Sequence, residues 1–287
     1  MSLIGHLREL RNRIGIALFF VLIGTAVAFW WYEQGLGEFI RAPYCGLDPD
    51  LRGLPGQDDG DCDLVITNVL GGALIRLKIS FIVGIVLSAP FWLYQVWAFL
   101  TPGLKKNEKR YGVGFVAVSS SLFALGAALA YISLAKGLDL LLSLAGDGVT
   151  ALLTAEEYIG FVISLLVAFG VSFELPLIAV VLNLIGILSY ETLSKSRRWI
   201  YFLTIVFAAF ITPTQDPFTM LAMAAPMCVL FEIAIQIARF VDKRRAKREA
   251  AEGLGGLDDD EASPSIDAAS PLDTTPSPLD EPAHLQR

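Results

Sequence analysis

The sequence PFWLYQVWAFLTPGLKKNE occupies residues 90–108 and indicates how the chain is placed. It begins inside an apolar segment that is long enough to cross a bilayer. It then runs through an aromatic cluster and a Pro-Gly pair into a loop of lysines with one acidic residue, Glu108. Aromatic side chains collect at membrane interfaces, and lysine and arginine collect on the cytoplasmic side. The stretch therefore predicts a helix that leaves the membrane on the cytoplasmic side.

The composition of the whole chain agrees with a membrane protein. Of its 287 residues, 54% are hydrophobic and 18% are charged, and the mean hydropathy is +0.58. A soluble domain of this length is more polar, and here the apolar residues come in blocks. Residues 1–13 are charged, and the apolar run that follows lacks a small-residue cleavage site. We therefore expect an all-α integral membrane protein whose first apolar run is retained.

Six apolar blocks are candidate transmembrane helices, at residues 14–31, 79–99, 111–134, 158–188, 199–211 and 218–238. The fifth has about 13 residues, whereas a straight crossing needs about 20. We predict short fifth and sixth helices that form a hairpin, which thins the bilayer locally or leaves a water-filled notch. A re-entrant hairpin that never crosses is the alternative.

The distribution of lysine and arginine predicts the orientation. They cluster before the first block, at residues 101–110 and 189–198, and at 243–248. The opposite side, with external loops at about 34–70 and 135–157, holds few: Arg41, Arg52, Arg76, Lys78 and Lys136. This bias predicts six spans with both termini in the cytoplasm. The 243–248 cluster follows a membrane exit, which favours this interpretation over nucleic-acid binding.

The chain divides by composition into two regions. Residues 1–248 form the predicted six-helix transmembrane domain. Residues 249–287 are rich in Asp, Glu, Pro, Ser and Ala, with few large apolar side chains. Such a segment cannot bury a core, so we expect a disordered acidic cytoplasmic tail.

Two of the three cysteines, Cys45 and Cys62, share the first predicted external loop. In an oxidising exterior they could form a disulfide that closes a loop of about 17 residues. A chance pair of cysteines is the alternative. Cys228 lies in the sixth block, where we expect it to serve as a small packing residue.

Ionisable side chains inside the apolar blocks are rare. Glu174 lies deep in the fourth block and Glu232 in the sixth. A buried carboxylate is costly unless it is paired, hydrated or protonated, so it usually faces the bundle interior or an aqueous cavity. Pro176 can bend the helix beside Glu174. This predicts a polar notch in a concave groove; a protonated Glu174 bonded to a neighbouring helix is the structural alternative.

Two carboxylates are predicted on the cytoplasmic side. Glu9 and Arg13 have i, i+4 spacing and can pair on a helix. Glu108 stands alone among lysines and an arginine. Guanidinium groups match carboxylates in a bidentate geometry. Glu9 and Glu108 could together receive two adjacent arginines of a ligand, or each could simply pair locally.

No enzyme site is predicted. The two histidines, His6 and His284, lie at opposite ends of the chain, which argues against a metal cluster or a histidine-based triad. The sequence has no phosphate-binding loop and no dinucleotide motif. We expect no metal and no cofactor, so transport would need a partner or a membrane potential.

Several separated motifs are similar to those of one family. They are HLRELR at 6–11, SAPFWLYQVWAF at 88–99, PGL at 102–104 with Glu108, FGVSFELP at 169–176, and TP at 212–213 with Asp216-Pro217. In this order they resemble the TatC family, the core subunit of the twin-arginine protein translocase. The resemblance implies a bacterial cytoplasmic-membrane protein. It would bind twin-arginine signal peptides and help to move folded proteins across the membrane with the proton-motive force.

The resemblance also implies roles for particular residues. Glu9 and Glu108 look like the carboxylates that engage the arginine pair, with Arg11 and Phe99 as their neighbours. Glu174 resembles the intramembrane carboxylate of the groove. Three further residues resemble positions needed for function: Pro43, Pro102 and Asp216. The implied partners are single-span TatA-type and TatB-type subunits along the fifth and sixth helices, with self-association in a larger complex.

Two other functions remain open on the residues alone. An ion-coupled solute transporter would use Glu174 as a proton relay, although such folds usually have two related halves, which this sequence does not show. A passive membrane scaffold would tolerate substitutions at Glu9, Glu108 and Glu174.

Overall fold

The computed structural model describes residues 3–47, 62, 64–100, 109–144, 153–213 and 216–251. Ten α-helices lie in these ranges: α1 Leu3–Trp31, α2 Leu36–Cys45, α3 Gly71–Leu87, α4 Ala89–Leu100, α5 Lys109–Ser143, α6 Ala155–Ser172, α7 Leu175–Leu184, α8 Tyr190–Lys195, α9 Arg197–Ile211 and α10 Pro217–Ala251. The chain divides into two units, Met1–Asp242 and Lys243–Arg287. The predicted all-α fold is confirmed; the predicted tail lies almost wholly outside the described residues.

Four segments of the described chain are long and apolar enough to span a membrane: Gly5–Gln34, Val113–Ser143, Ala155–Leu184 and Pro217–Arg248. A bent pair, α3 with α4, would make a fifth. Helix α9 has 15 residues, a rise of about 22 Å, which is shorter than the apolar core of a bilayer. It is the short fifth helix of the prediction. The count of six spans and the cytoplasmic placement of the termini stay predictions.

The second span is not the single helix that the apolar block predicted. Helices α3 and α4 meet at an angle of 60°. Pro90 has no backbone N–H, and its ring disfavours a continuous helix at this point. Helix α3 ends at Leu87. The next residue, Ser88, is its C-cap, and both the N–H and the Oγ of Ser88 donate to the carbonyl of Gly84, at 3.0 and 2.7 Å. The chain then restarts as α4 in a new direction.

The predicted short sixth helix is also wrong in its length. Helix α10 has 35 residues, because the segment after the apolar block is rich in Arg, Lys and Ala, which favour helix. The same continuation occurs in α5, which ends at Ser143 and so takes up the start of the predicted second external loop. Helix α2 lies within the first predicted external loop.

Glycines set how closely the helices pack. Helix α1 packs along α3 and α4, and α5 packs against α4 and α6. A Cβ on Gly24 of α1 would lie 2.5 Å from the carbonyl oxygen of Gly84 in α3. A Cβ on Gly126 of α5 would lie 2.8 Å from the carbonyl oxygen of Phe169 in α6. Helices in lipid associate by such close backbone contact at small residues, so these two crossings hold the bundle together.

Candidate functional site

The carboxylate of Glu9 is paired within α1. Arg13 donates from Nη2 at 2.7 Å and from Nε at 3.0 Å, and both bonds go to the same oxygen, Oε1. Among the described residues, Oε2 of Glu9 accepts no hydrogen bond. The side chains are 30% and 25% exposed for Glu9 and Arg13. Glu9 is therefore a partly exposed carboxylate that binds one guanidinium through one of its two oxygens.

Phe99 is held by a residue whose role the sequence did not reveal. The ring of Phe99, near the end of α4, stacks on His6 with 4.5 Å between centroids. His6 precedes Glu9 by one turn of α1, so the two share a helix face. The stack therefore brings the start of α1 beside the end of α4. No local spacing in the sequence points from His6 to a partner so distant in the chain.

The other predicted residues of this region are separate from Glu9 or cannot be placed. Arg11 is exposed and donates to the neighbouring Asn12 Oδ1 at 3.4 Å. Glu108 and Pro102 lie outside the described residues. The structure thus brings Phe99 against the turn of α1 that precedes Glu9, and the pairing of Glu9 with Glu108 stays a prediction.

Glu174 lies at a break in the fourth span. Helix α6 ends at Ser172 and α7 begins at Leu175, with Pro176 in the first turn of α7, as expected for a residue that interrupts the helix. Glu174 is 9% exposed, and Ser119 Oγ of α5 donates to its Oε2 at 2.6 Å. Its Oε1 is buried and has no hydrogen-bond partner in the described parts of the chain. This oxygen is an unused acceptor inside the bundle.

Ser119 was missed because the sequence offers three consecutive serines at 119–121 and no means to choose among them. A serine in a membrane helix usually bonds its own preceding turn. Ser121 does so, with Oγ donating to Ala117 O at 2.8 Å. Only the packing of α5 against α6 selects Ser119 as the partner of Glu174.

Glu232, the second intramembrane carboxylate, is fully engaged in a local network. Its Oε1 accepts from Arg197 Nη2 at 2.8 Å and from Gln236 Nε2 at 3.0 Å, and its Oε2 accepts from the Tyr201 hydroxyl. These bonds connect the start of α9 to α10. A carboxylate with an arginine and two further donors is satisfied, which favours a structural role for Glu232.

Pro43 accounts for a hydrogen bond that α2 accepts from a neighbouring membrane helix. A proline inside a helix frees the carbonyl four residues before it, which here belongs to Phe39. The Tyr131 hydroxyl of α5 donates to this carbonyl at 2.7 Å. The buried Tyr158 hydroxyl of α6 donates to the next carbonyl, that of Ile40, at 2.6 Å. Pro43 thus creates an acceptor by which α2 is bound to the membrane helices.

Asp216 is the N-cap of α10. Its Oδ1 accepts from the backbone N–H of Thr219 at 2.7 Å, and its Oδ2 accepts from the Thr219 hydroxyl. Pro217 occupies the first helical position, where its missing N–H costs nothing. Thr219 packs on α5, since a Cβ on Gly137 would lie 2.9 Å from its Cγ2. The buried Asp216 therefore fixes where α10 begins.

The structure joins Cys45 and Cys62 in a disulfide across a sequence separation of 17. Beyond Cys62 the chain is bound to α6: Ala155 N–H donates to Val65 O at 2.8 Å, and Asn68 Nδ2 donates to Glu156 Oε1 at 3.1 Å. The disulfide and these bonds tie the end of α2 and the entry to α3 to the start of α6.

We predict that replacing Cys45 and Cys62 together by serine lowers stability by about 3 kcal/mol, because the crosslink restricts the unfolded loop. The thermal midpoint in detergent should fall, and dithiothreitol should lower the midpoint of the unaltered chain alike. Cys228→Ser is the matched control, because it removes a cysteine that is not in the disulfide. Its thermal midpoint should equal that of the unaltered chain, both with and without dithiothreitol. Equal midpoints for the double variant and the unaltered chain would contradict the prediction.

Comparison with known proteins decides the family. The profile of the family described as "Sec-independent protein translocase protein (TatC)" matches residues 5–226. The chain belongs to the TatC family. A Sec-independent protein translocase protein TatC of Frankia casuarinae is 46% identical over 273 residues, 94% of this chain and 75% of the relative. That of Corynebacterium kroppenstedtii is 40% identical over 296 residues, 98% of this chain and 71% of the relative.

A solved TatC structure has the same fold. The crystal structure of twin arginine translocase receptor TatC in DDM matches with a TM-score of 0.65 and 34% identity, covering 81% of this chain and 99% of that one. The resemblance noted from the motifs is therefore confirmed. This TatC chain is a multi-pass protein of the cytoplasmic membrane and belongs to a family of translocase components.

Proposed function

We propose that this chain is the subunit that receives twin-arginine signal peptides in a translocase for folded proteins, driven by the proton-motive force. One observation carries the proposal: the partly exposed Glu9 already accepts two N–H bonds from the guanidinium of Arg13. A carboxylate that binds one arginine in this geometry suits another. Phe99, stacked on His6, supplies an aromatic surface beside it.

The second arginine of the signal docks at Glu108 in this proposal. Glu108 follows α4, and the His6–Phe99 stack brings the end of α4 beside the start of α1. Arg11 is exposed on the same helix, α1, and in this proposal it belongs to the same cytoplasmic surface. The apolar part of the signal then lies along a groove near Glu174, whose free Oε1 offers an acceptor inside the bundle.

Single-span partners of the TatA and TatB type assemble along α9 and α10 in this proposal, and several copies of the chain associate. Both helices expose large apolar side chains: Trp199, Phe202 and Phe210 on α9, and Leu221 and Val229 on α10. A helix as short as α9 thins the bilayer beside it. That local thinning favours the accumulation of other membrane helices at this face.

The test is site-specific photocrosslinking to a twin-arginine signal peptide in membranes that contain the partner subunits. The probe stands at Asn12, which is exposed on α1 close to Glu9, and a twin-lysine peptide is the comparison. We expect arginine-dependent crosslinks that fall at least about tenfold with Glu9→Gln or Glu108→Gln, since a charge-assisted bond contributes about 1.5–3 kcal/mol. Glu38→Gln on α2 is the matched control and should change nothing.

Equal crosslinking of the twin-lysine and twin-arginine peptides would count against the proposal. In that case, solute uptake into vesicles that contain this chain alone would support the ion-coupled transporter. Silent substitutions at Glu9, Glu108 and Glu174 would support a passive scaffold.

A further inference from the structure

The proposed receptor carboxylate is occupied before any ligand arrives. Arg13 holds Oε1 of Glu9 through two nitrogen atoms, and a signal arginine that binds both oxygens of the carboxylate in a bidentate geometry needs this atom. Both residues belong to one continuous helix, α1, so the pair forms without any other element. An incoming guanidinium meets a carboxylate whose charge is already partly neutralised.

We propose that Arg13 is an internal competitor for Glu9, which a guanidinium of the signal peptide displaces on binding. The inference rests on the proposed function and concerns the regulation of the same site. The displaced Arg13 side chain can move into solvent, because it is already 25% exposed and Arg13 directly precedes the apolar run of α1. A long arginine side chain at such a position can extend to the water or to lipid headgroups.

An internal competitor changes affinity in a defined way. The free energy of the Glu9–Arg13 pair must be given up whenever any cation takes its place, whichever cation that is. The affinities for twin-arginine and twin-lysine peptides are therefore lowered by the same factor. Pairs of this spacing and exposure are weak, which corresponds to a factor of about two to five. Arg13 thus weakens the binding of every peptide at this carboxylate by the same factor and leaves the preference between peptides unchanged.

The test is a titration of fluorescent twin-arginine and twin-lysine peptides against the full-length chain in nanodiscs with its partner subunits. Arg13→Gln removes the competitor. We expect both peptides to bind about two- to fivefold more tightly, with their affinity ratio unchanged. Arg13→Lys keeps the charge but loses the planar fork, so the gain should be smaller.

Arg8→Gln is the matched control, because it removes the same charge from the same helix. Arg8 is exposed and forms no ion pair in the part of the chain that the structure describes. If Arg8→Gln raised the peptide affinities by the same factor, the loss of one positive charge would explain the effect, and the inference would be overturned. Unchanged or weaker binding with Arg13→Gln would also overturn it, since Arg13 would then orient Glu9 and not compete for it.

The failure of the inference is distinct from the failure of the proposed function. If the unaltered chain prefers the twin-arginine peptide and Arg13→Gln does not raise the affinity, only the inference about Arg13 is overturned. If the unaltered chain shows no preference for the twin-arginine peptide, the proposed function is overturned, and the inference about Arg13 is overturned with it. Elution volume in detergent checks that each variant remains folded.

Discussion

Replacing Gly24 by leucine is expected to prevent α1 from packing on α3. A Cβ at this position would lie 2.5 Å from the carbonyl oxygen of Gly84 and 3.2 Å from its carbonyl carbon and its Cα. All three are backbone atoms, so no side chain can rotate away to make room. The helices would have to separate along a crossing where lipid offers no hydrophobic gain in return. We expect a loss of about 3 kcal/mol of stability.

The measurement is the fraction of membrane-inserted chain that elutes as a single folded peak in detergent, together with its thermal midpoint. Gly15→Leu is the matched control, because Gly15 is on the same helix and a Cβ there meets nothing within 4 Å. The control should behave as the unaltered chain, whereas Gly24→Leu should aggregate or lose most of the folded peak. Equal midpoints for the two variants would show that the α1–α3 crossing adjusts easily.

Replacing Asp216 by alanine is expected to destabilise the start of α10 and to reduce protein transport strongly. The change removes the acceptor for the Thr219 N–H and for the Thr219 hydroxyl in a buried site. Loss of an N-cap costs about 1 kcal/mol and up to about 2 kcal/mol in proteins, and the burial of Asp216 favours the upper end of this range. Because Thr219 contacts α5 at Gly137, the disturbance should reach the neighbouring helix.

Asp216→Asn separates the cap from the charge. Asparagine keeps an oxygen that can accept from the Thr219 N–H, so the thermal midpoint should largely recover, and transport of a twin-arginine precursor into membrane vesicles should recover with it. If the asparagine variant were stable and still inactive, the negative charge of Asp216 would be needed for transport itself. That result would contradict the structural explanation of this residue.

The architecture follows from the sequence wherever the signal is local. The apolar blocks, the short fifth helix, the helix break at Pro176 and the Glu9–Arg13 pair each depend on residues within a few turns of one another. Hydrophobic length, missing N–H groups and i, i+4 spacing act at that range. The lengths of α5 and α10 were underestimated because apolar blocks mark the membrane, whereas helix propensity continues into polar residues.

The contacts that give the site its form depend on how the helices are rotated against each other. The bond from Ser119 to Glu174, the stack of His6 on Phe99 and the bond from Tyr131 to the Phe39 carbonyl each join distant parts of the chain. The 60° bend between α3 and α4 likewise depends on its neighbours, because Pro90 can loosen a helix but cannot direct it. Composition and spacing specify which helices form and where they end. Each helix is rotated so that its glycines lie against the backbone of a neighbouring helix. That rotation decides which one of several similar side chains contacts each buried polar atom.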